Sequence, residues 1–489
     1  MTDPLTALFC GVIIALLVVG AELSRRLLGV PERLTRMSVH MGSGALVALA
    51  PLFFTSRWWP AGVAAAALIV LTVCRWRGWL PAIHAARPAS YGTSWFALAT
   101  LILYLAAWNT PWLVTIPLLV MAFADTAGVL AGERVRVTNL PHGFRDKSRE
   151  GAAAVFLVTW VAVALGWEAF GLSGAGSALL IGLACAPTGM VIEALSGRGS
   201  DNFTLPLGIA FTLVLVVETP DQPMMLLVTE FVAVLFALTA FHLRVLRADG
   251  AAGAFLLAVW LFGGGGWPWI LPLLVFFIFS SLLTRLADGL RGERPALEQK
   301  GGRRDLAQVG ANGGIALLIF AADLFGLPGY LSWPAFLGAV ATATADTWAT
   351  EIGTTLRAEA RFITNFRRVP AGISGGVTLA GTLAGLTGAG VLALAGILMP
   401  PARDLAGTEV FVAVIGGGFI GMIADSYLGA LWQGRWRCSV CAAVTERHRH
   451  CGEPVGERVE GVSWLDNDVV NLLAAVIGAG SAVLITTLF

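Results

Sequence analysis

Residues 111–132 read PWLVTIPLLVMAFADTAGVLAG, fourteen positions without a charge and then Asp125 inside a stretch that stays apolar as far as Gly132. A carboxylate left unpaired in hydrocarbon costs several kcal/mol, so an acid in that position marks a functional site by default. The chain does this twice. ADTAGVLAG, from Ala124, returns 221 positions later as ADTWATEIG, from Ala345, again at the end of an apolar run. On a helix Asp125, Gly128 and Gly132 fall on one face, and Asp346, Ala349 and Gly353 repeat that small-residue stripe. A tight seam between helices would use the same stripe.

The rest of the chain has the composition of a membrane protein. Of 489 residues 57% are hydrophobic and 13% charged, and the mean hydropathy is +0.78. About sixteen apolar segments of bilayer length follow one another, starting near residues 6, 38, 59, 94, 111, 151, 174, 205, 224, 251, 267, 307, 331, 373, 409 and 466. The expected fold is an all-α polytopic membrane protein. FCGVIIALLVVGAEL, from Phe9, runs into Ser24-Arg25-Arg26 without a small-residue cleavage site and reads as the first span. A net charge of +1 gives no field towards nucleic acid.

The basic residues are nearly all Arg, with Lys147 and Lys300 the two lysines. They concentrate in the loops 25–37, 75–93, 133–150, 192–204, 244–250, 285–306, 354–372 and 433–463, each of which follows an odd-numbered span. The positive-inside rule places these loops in the cytoplasm, with the protein in the cell membrane. They also carry the polar motifs, so the chemistry is expected on the cytoplasmic face.

The duplication extends beyond the ADT nonapeptides. Arg87 opens RPASYGT and Arg303 opens RRDLAQVGANGG ahead of the two ADT spans, Glu193 corresponds to Asp425, and Asp201-Asn202 to Asp466-Asn467. The offsets of 221, 232 and 265 grow because the second copy has the longer loop. Eight spans per copy make parallel repeats, 1–222 and 223–489, with the break near ETPDQP at residues 218–223.

Each copy then assembles carboxylates that repel unless a cation joins them. Mg²⁺ favours one or two carboxylates together with phosphate oxygens, which makes Asp125 and Asp201, and in the second copy Asp346 and Asp466, expected ligands. Glu193 and Asp425 are the remaining acids of the two sets. The opposite charge precedes a helix in GFRDKSREG, where Lys147, Ser148, Arg149 and Gly151 offer a cation and free N–H groups to phosphate. No Walker A pattern occurs there. NFRRVPAGISGG occupies the same place in the second copy, with Arg367, Arg368 and Ser374.

His40, at a span entrance, contacts either headgroups or substrate. Ser90 and Tyr91 bind donor or start a helix. Gln308 and Asn312, four apart on a helix, grip a polar group or each other. In the 433–463 loop, CSVCAAVTERHRHC spaces Cys438 and Cys441 as C-x-x-C ahead of His448, His450 and Cys451. Cys438, Cys441, His450 and Cys451 make a tetrahedral structural zinc site the first reading and a redox pair the second.

Residues 1–218 resemble the phytol kinase and dolichol kinase family of membrane lipid kinases, on ERLTRMSVHMGSG, RPASYGT, ADTAGVLAG, KSREG and EALSGRGSDNFTLPL. The family's Arg-Lys ahead of the His is Arg36-Met37 here. From about residue 230 the chain resembles a different membrane family, which includes plant phytyl phosphate kinase. The carriers are RRDLAQVGANGG, ATADTWATEIG, RRVPAGISGGVTLAGTLAG, GGGFIGMIADSYLGA, CSVCAAVTERHRHCG and WLDNDVVNLLA.

Together the resemblances imply a fused pair of phosphotransferases. The first would convert a long isoprenoid alcohol, such as phytol or geranylgeraniol, into its monophosphate, and the second would convert that into the diphosphate, with CTP or another nucleoside triphosphate as donor. In the first reaction Asp125 and Asp201 would hold the metal, Glu193 would be a third ligand or orient the hydroxyl, and Lys147 would neutralise donor phosphate. In the second Asp346, Asp425 and Asp466 would hold the metal while Arg367 or Arg368 meets phosphate, with Asn202 and Asn467 beside their acids in the two sets. Two other classes fit the same features: a CTP-dependent cytidylyltransferase making a CDP-lipid, against which stands the lack of a dense terminal Lys/Arg/Asp signature, and an ion-coupled transporter built on repeats.

Overall fold

The computed structural model describes residues 2–77, 90–135, 138–141, 143–144, 147–172, 174–218, 222–291, 303–356, 359–401, 407–446, 449–451 and 453–489. Among them are sixteen helices: α1 Asp3–Leu28, α2 Glu32–Ala48, α3 Ala50–Phe53, α4 Trp58–Trp76, α5 Gly92–Ala107, α6 Pro111–Arg134, α7 Arg149–Ala169 and α8 Ala175–Leu195, then α9 Asp201–Glu218, α10 Gln222–His242, α11 Ala248–Arg291, α12 Leu306–Leu324, α13 Gly329–Thr355, α14 Leu379–Leu398, α15 Thr408–Leu431 and α16 Asn467–Thr486. Eight short strands, β1 Ala360–Phe362 to β8 Arg458–Glu460, form three small sheets in two loops. The protein is an all-α polytopic membrane protein.

Eleven of these helices are long and apolar enough to cross a bilayer. The expectation of about sixteen spans differs from that count for physical reasons. α11 is one 44-residue helix by hydrogen bonding but breaks at Gly266, whose φ of 65° and ψ of −156° suit only glycine, so it covers two expected spans. α5 and α9 are apolar but shorter. α13 is sheathed by protein: every residue from Ser332 to Ala345 is buried, so small and hydroxylated side chains replace the lipid-facing Leu and Val of an outer span. The span expected near 373 begins later, at Leu379, because Gly372 and Gly375 hold φ of 91° and 86° and the chain there forms a loop and strand β3 (Gly376–Val377).

Two compact units divide inside α10, at Val232 and Ala233. In the first, α6 is the central helix and packs on α2, α5, α7 and α9. Thr115 Oγ1 donates to the Ala48 carbonyl at 2.9 Å and Tyr104 Oη to that of Val47 at 2.6 Å, tying α6 and α5 to α2. In the second, α13 is central and packs on α11, α12, α14, α15 and α16. Its first turns join an aromatic cluster in which Trp269 lies 4.7 Å from Phe336 and 4.9 Å from Phe320.

Both central helices carry the ADT sequence, and each meets the following helix in the same way. Ser148 caps α7 by accepting from Gly151 N at 3.0 Å, and a Cβ on Gly151 would stand 2.8 Å from the Gly128 carbonyl and 3.5 Å from Gly132 Cα. Thr378 caps α14 by accepting from Gly381 N at 2.9 Å, and a Cβ on Gly381 would stand 2.7 Å from the Ala349 carbonyl and 3.4 Å from Gly353 Cα. The small-residue stripe of each ADT helix is thus a backbone-to-backbone seam, and it holds a helix N-terminus against that helix.

Candidate functional site

In the first unit three elements deliver acids to one place. Asp125 projects from the middle of α6, Glu193 from the last turn of α8 and Asp201 from the first residue of α9, and a ligand oxygen from each lies within 4.8 Å of the others. Lys147, in the loop ahead of α7, forms an ion pair with Glu193. Glu193 is buried, whereas the side chains of Asp125 and Lys147 keep about a fifth to a quarter of their exposure, at 21% and 27%. His40 Nε2, from α2, stands 3.9 Å from Asp125 Oδ2.

Charge decides what this cluster can do. Two unit charges 4.8 Å apart repel by about 3.5 kcal/mol at an effective dielectric near 20. Three carboxylates and one ammonium leave a formal charge of −2, which one divalent cation neutralises. The oxygens are hard donors gathered within 4.8 Å of one another, near the roughly 4.2 Å that two ligands of one Mg²⁺ span, so in donor type and charge the residues fit that ion.

Beside the acids, the turn between α8 and α9 docks on the start of α5. Tyr91 N donates to the Arg198 carbonyl at 3.1 Å, Ser90 Oγ accepts from Gly92 N at 3.3 Å, and the Asn202 amide occupies the space a side chain at position 92 would need. Gly199, at φ 83°, lets the two backbones touch. The Arg75 guanidinium lies over the Tyr91 ring at 3.9 Å. Ser90, Tyr91 and Asn202 therefore gather next to Asp201, while Arg145 falls outside the described residues.

The second unit contains a polar cavity of about 440 Å³. Asp346 from α13 and Asp425 from α15 line it, as do Gln308 and Asn312 from α12, Ser374 from the glycine loop, and Asn467 and Asn471 from α16. With the Asn471 amide turned to suit its neighbours, its nitrogen donates to Asp425 Oδ2 at 2.8 Å. Gln308 also completes a capping box with Asp305, and Asn312 Nδ2 donates to the Gln308 carbonyl at 2.9 Å.

Three expected residues stand elsewhere. Asp466 is not on the cavity wall; its carboxylate caps α16 by accepting from Asp468 N and Val469 N, both at 3.1 Å. Arg367 and Arg368 lie on the hairpin that β1 forms with β2 (Arg368–Val369), exposed, with Arg368 paired to Glu359 at 3.1 Å. Among the described residues the arginines that line the cavity are Arg244, Arg285, Arg303 and Arg304. Arg304 stacks over Phe276 at 5.1 Å and Phe277 at 5.6 Å, and its Nη1 is buried without a hydrogen-bond partner among the described residues. Burial lowers its pKa to about 10, which keeps it charged at neutral pH.

Sequence reasoning passed over these arginines, and also Glu351, which accepts from Thr284 at 2.7 Å, and Glu446. A usable signal existed for one pair, since Arg303-Arg304 immediately precedes the Asp305 cap of α12 and so adjoins the N-terminus of a cavity-lining helix.

The third cluster lies in the 433–463 loop. Cys438, Cys441, His450 and Cys451 bring one ligand atom each within 4.8 Å of one another, with His450 Nδ1 at 3.4 Å from Cys441 Sγ and 3.3 Å from Cys451 Sγ. Val440 N donates to Cys438 Sγ at 3.4 Å. The N–H groups of Cys441 and Val440 hold the Cys438 thiol down at about 6, and hydrogen bonding with Cys441 pushes Cys451 up to about 11. His448 lies outside the described residues.

No solved structure matches the chain. An uncharacterized membrane protein of Methanocaldococcus jannaschii is 30% identical over 273 residues, 55% of this chain and 98% of its own length. The phytol kinase of Synechocystis sp. is 35% identical over 204 residues, 40% of this chain and 83% of its own. The chloroplastic protein VTE6 of Arabidopsis thaliana is 26% identical over 243 residues, 49% of this chain and 65% of its own. The family model described as integral membrane protein DUF92 matches residues 231–479, half of the chain. Taken with the near full-length match to the archaeal protein, this makes the chain a member of the DUF92 family of integral membrane proteins.

Proposed function

We propose that the chain phosphorylates a long-chain prenyl alcohol in its first unit and the resulting monophosphate in its second, with CTP or another nucleoside triphosphate as donor. The observation that carries this reading is the convergence of Asp125, Glu193 and Asp201 beside Lys147, on a chain similar to a phytol kinase. Phosphoryl transfer needs in-line positioning and neutralisation of the transferred group more than it needs covalent chemistry, and those are what such a cluster supplies.

Each residue then has a task. Asp125 and Asp201 would hold Mg²⁺, which when bound supplies charge neutralisation across the donor phosphates. Glu193 holds the Lys147 ammonium at the acid cluster, where it meets phosphate oxygen. Ser148 fixes the first turn of α7, so that the positive dipole end of the helix faces the transferred group. His40 Nε2, on the Asp125 side, orients the acceptor hydroxyl.

The two steps differ in the charge of their acceptors. An alcohol is neutral, and the first cluster pairs its acids with one ammonium. A prenyl monophosphate brings its own negative charge, and Arg244, Arg285, Arg303 and Arg304 are among the residues that line the second cavity, beside six acids that include Asp346 and Asp425. Asp346 and Asp425 take the place of the Asp125 and Glu193 pair, in keeping with a duplicated origin of the units. Incubating the purified full chain with γ-labelled CTP and geranylgeraniol tests the reading. Label should enter prenyl monophosphate and then diphosphate; a CDP-lipid with release of pyrophosphate, or no transfer, contradicts it.

A further inference from the structure

We propose that Cys438, Cys441, His450 and Cys451 hold one structural Zn²⁺, and that this clasp sets Glu446 in the wall of the second cavity. Three thiols and an imidazole are a closed tetrahedral donor set. Zn–S bonds near 2.3 Å place tetrahedral sulfurs roughly 3.8 Å apart, and the four ligand atoms already lie within 4.8 Å of one another. The backbone is shaped for it: Ala442 and Cys451 adopt φ of 57° and 53°, which turn the chain tightly after the C-x-x-C pair and at the last ligand. Val440 N donates to Cys438 Sγ, the kind of bond that stabilises a thiolate ligand.

The segment between the two ligand pairs is what the clasp would control. β4 (Arg435–Arg437) pairs with β5 (Val444–Thr445), and Glu446 follows directly. Its carboxylate accepts from Ser374 Oγ at 2.8 Å and Gln433 Nε2 at 2.9 Å, with Arg435 Nε at 3.7 Å. Ser374 belongs to the glycine loop of the cavity, so Glu446 links that loop to the clasp. β4 also pairs with β8 (Arg458–Glu460), but strands of two and three residues form few hydrogen bonds with which to order so long a loop. A metal at the turn supplies the missing constraint, since binding free energy at such a site becomes folding free energy. None of this depends on phosphoryl transfer.

Elemental analysis of the full chain, purified under reducing conditions, should find about one zinc per protein. Cys438→Ser with Cys441→Ser should lose it, Cys10→Ala should keep it, and Cys451→His, which replaces a thiolate by an imidazole nitrogen, should also keep it and tests the site where the double serine variant does not fold. Cobalt exchanged into the site should give thiolate charge-transfer absorption. On metal removal, hydrogen exchange across residues 433–446 should rise roughly tenfold or more while that of residues 111–134 stays the same. Reduced protein that contains no zinc and takes up no cobalt overturns the site, as does stoichiometric zinc in the double serine variant. Unchanged exchange across 433–446 after metal removal overturns the link to Glu446.

Discussion

Lys147 and Glu193, 46 positions apart, form an ion pair that joins the loop ahead of α7 to the last turn of α8. Glu193 is buried and Lys147 about three-quarters covered, so removing the ammonium leaves a buried carboxylate without its counter-charge. Lys147→Gln is expected to lower kcat/KM for the prenyl alcohol by about 10²-fold or more. Lys147→Arg should restore part of it. Steady-state kinetics on the alcohol, with the monophosphate reaction followed in the same preparation, check both. An unchanged alcohol reaction in Lys147→Gln contradicts the role given to this pair.

Arg304 carries a corresponding expectation in the second unit. Its buried Nη1 and its stacking on Phe276 and Phe277 preset the guanidinium in the cavity. Arg304→Gln should raise KM for prenyl monophosphate about tenfold or more, because a charge-assisted contact is worth about 1.5–3 kcal/mol. Phosphorylation of the alcohol should be unaffected. A loss confined to the alcohol reaction would place Arg304 in the wrong step.

The α13–α14 seam can be tested by its volume. Gly381→Ala puts a methyl 2.7 Å from the Ala349 carbonyl, whereas Gly314→Ala, on α12, meets nothing within 4 Å. The first should destabilise the protein by about 1–3 kcal/mol through backbone displacement, and the second should be neutral or slightly stabilising. Thermal unfolding in detergent compares them. Equal melting temperatures for the two variants would mean the seam is not closely packed.

These positions also show how far the sequence could be read. Asp125 was legible because an acid in an apolar run is costly wherever the helix goes, and Glu193 and Asp201 because they open and close one polar turn. The membrane architecture was legible from hydropathy alone. Arg304 was not, since its distance from Asp346, Asp425 and Asn471 is set by helix packing and leaves no spacing in the chain. Asp466 sits in the same Asp-Asn pattern as Asp201, yet one takes part in the acid cluster and the other caps α16, a difference that rests on side-chain direction. The start of α14 was hidden by two glycines that also suit a helical seam.

If the units are parallel repeats, equivalent loops face the same side of the membrane. Asn139, ahead of α7, and Thr364, ahead of α14, are both exposed. Single cysteines at these two positions, in a background without the native cysteines, should both resist an impermeant thiol reagent on intact cells and both react once the membrane is opened. Labelling from opposite sides would make the repeats inverted.

The central claim is that two acid sites perform two successive phosphorylations. It is tested most directly by Asp125→Asn and Asp346→Asn, each assayed with γ-labelled CTP against both the prenyl alcohol and the supplied monophosphate. Asp125→Asn should abolish transfer to the alcohol and leave transfer to the monophosphate at the wild-type rate, and Asp346→Asn should do the reverse. If either single change stops both reactions in a folded protein, the two steps share one site and the account is wrong.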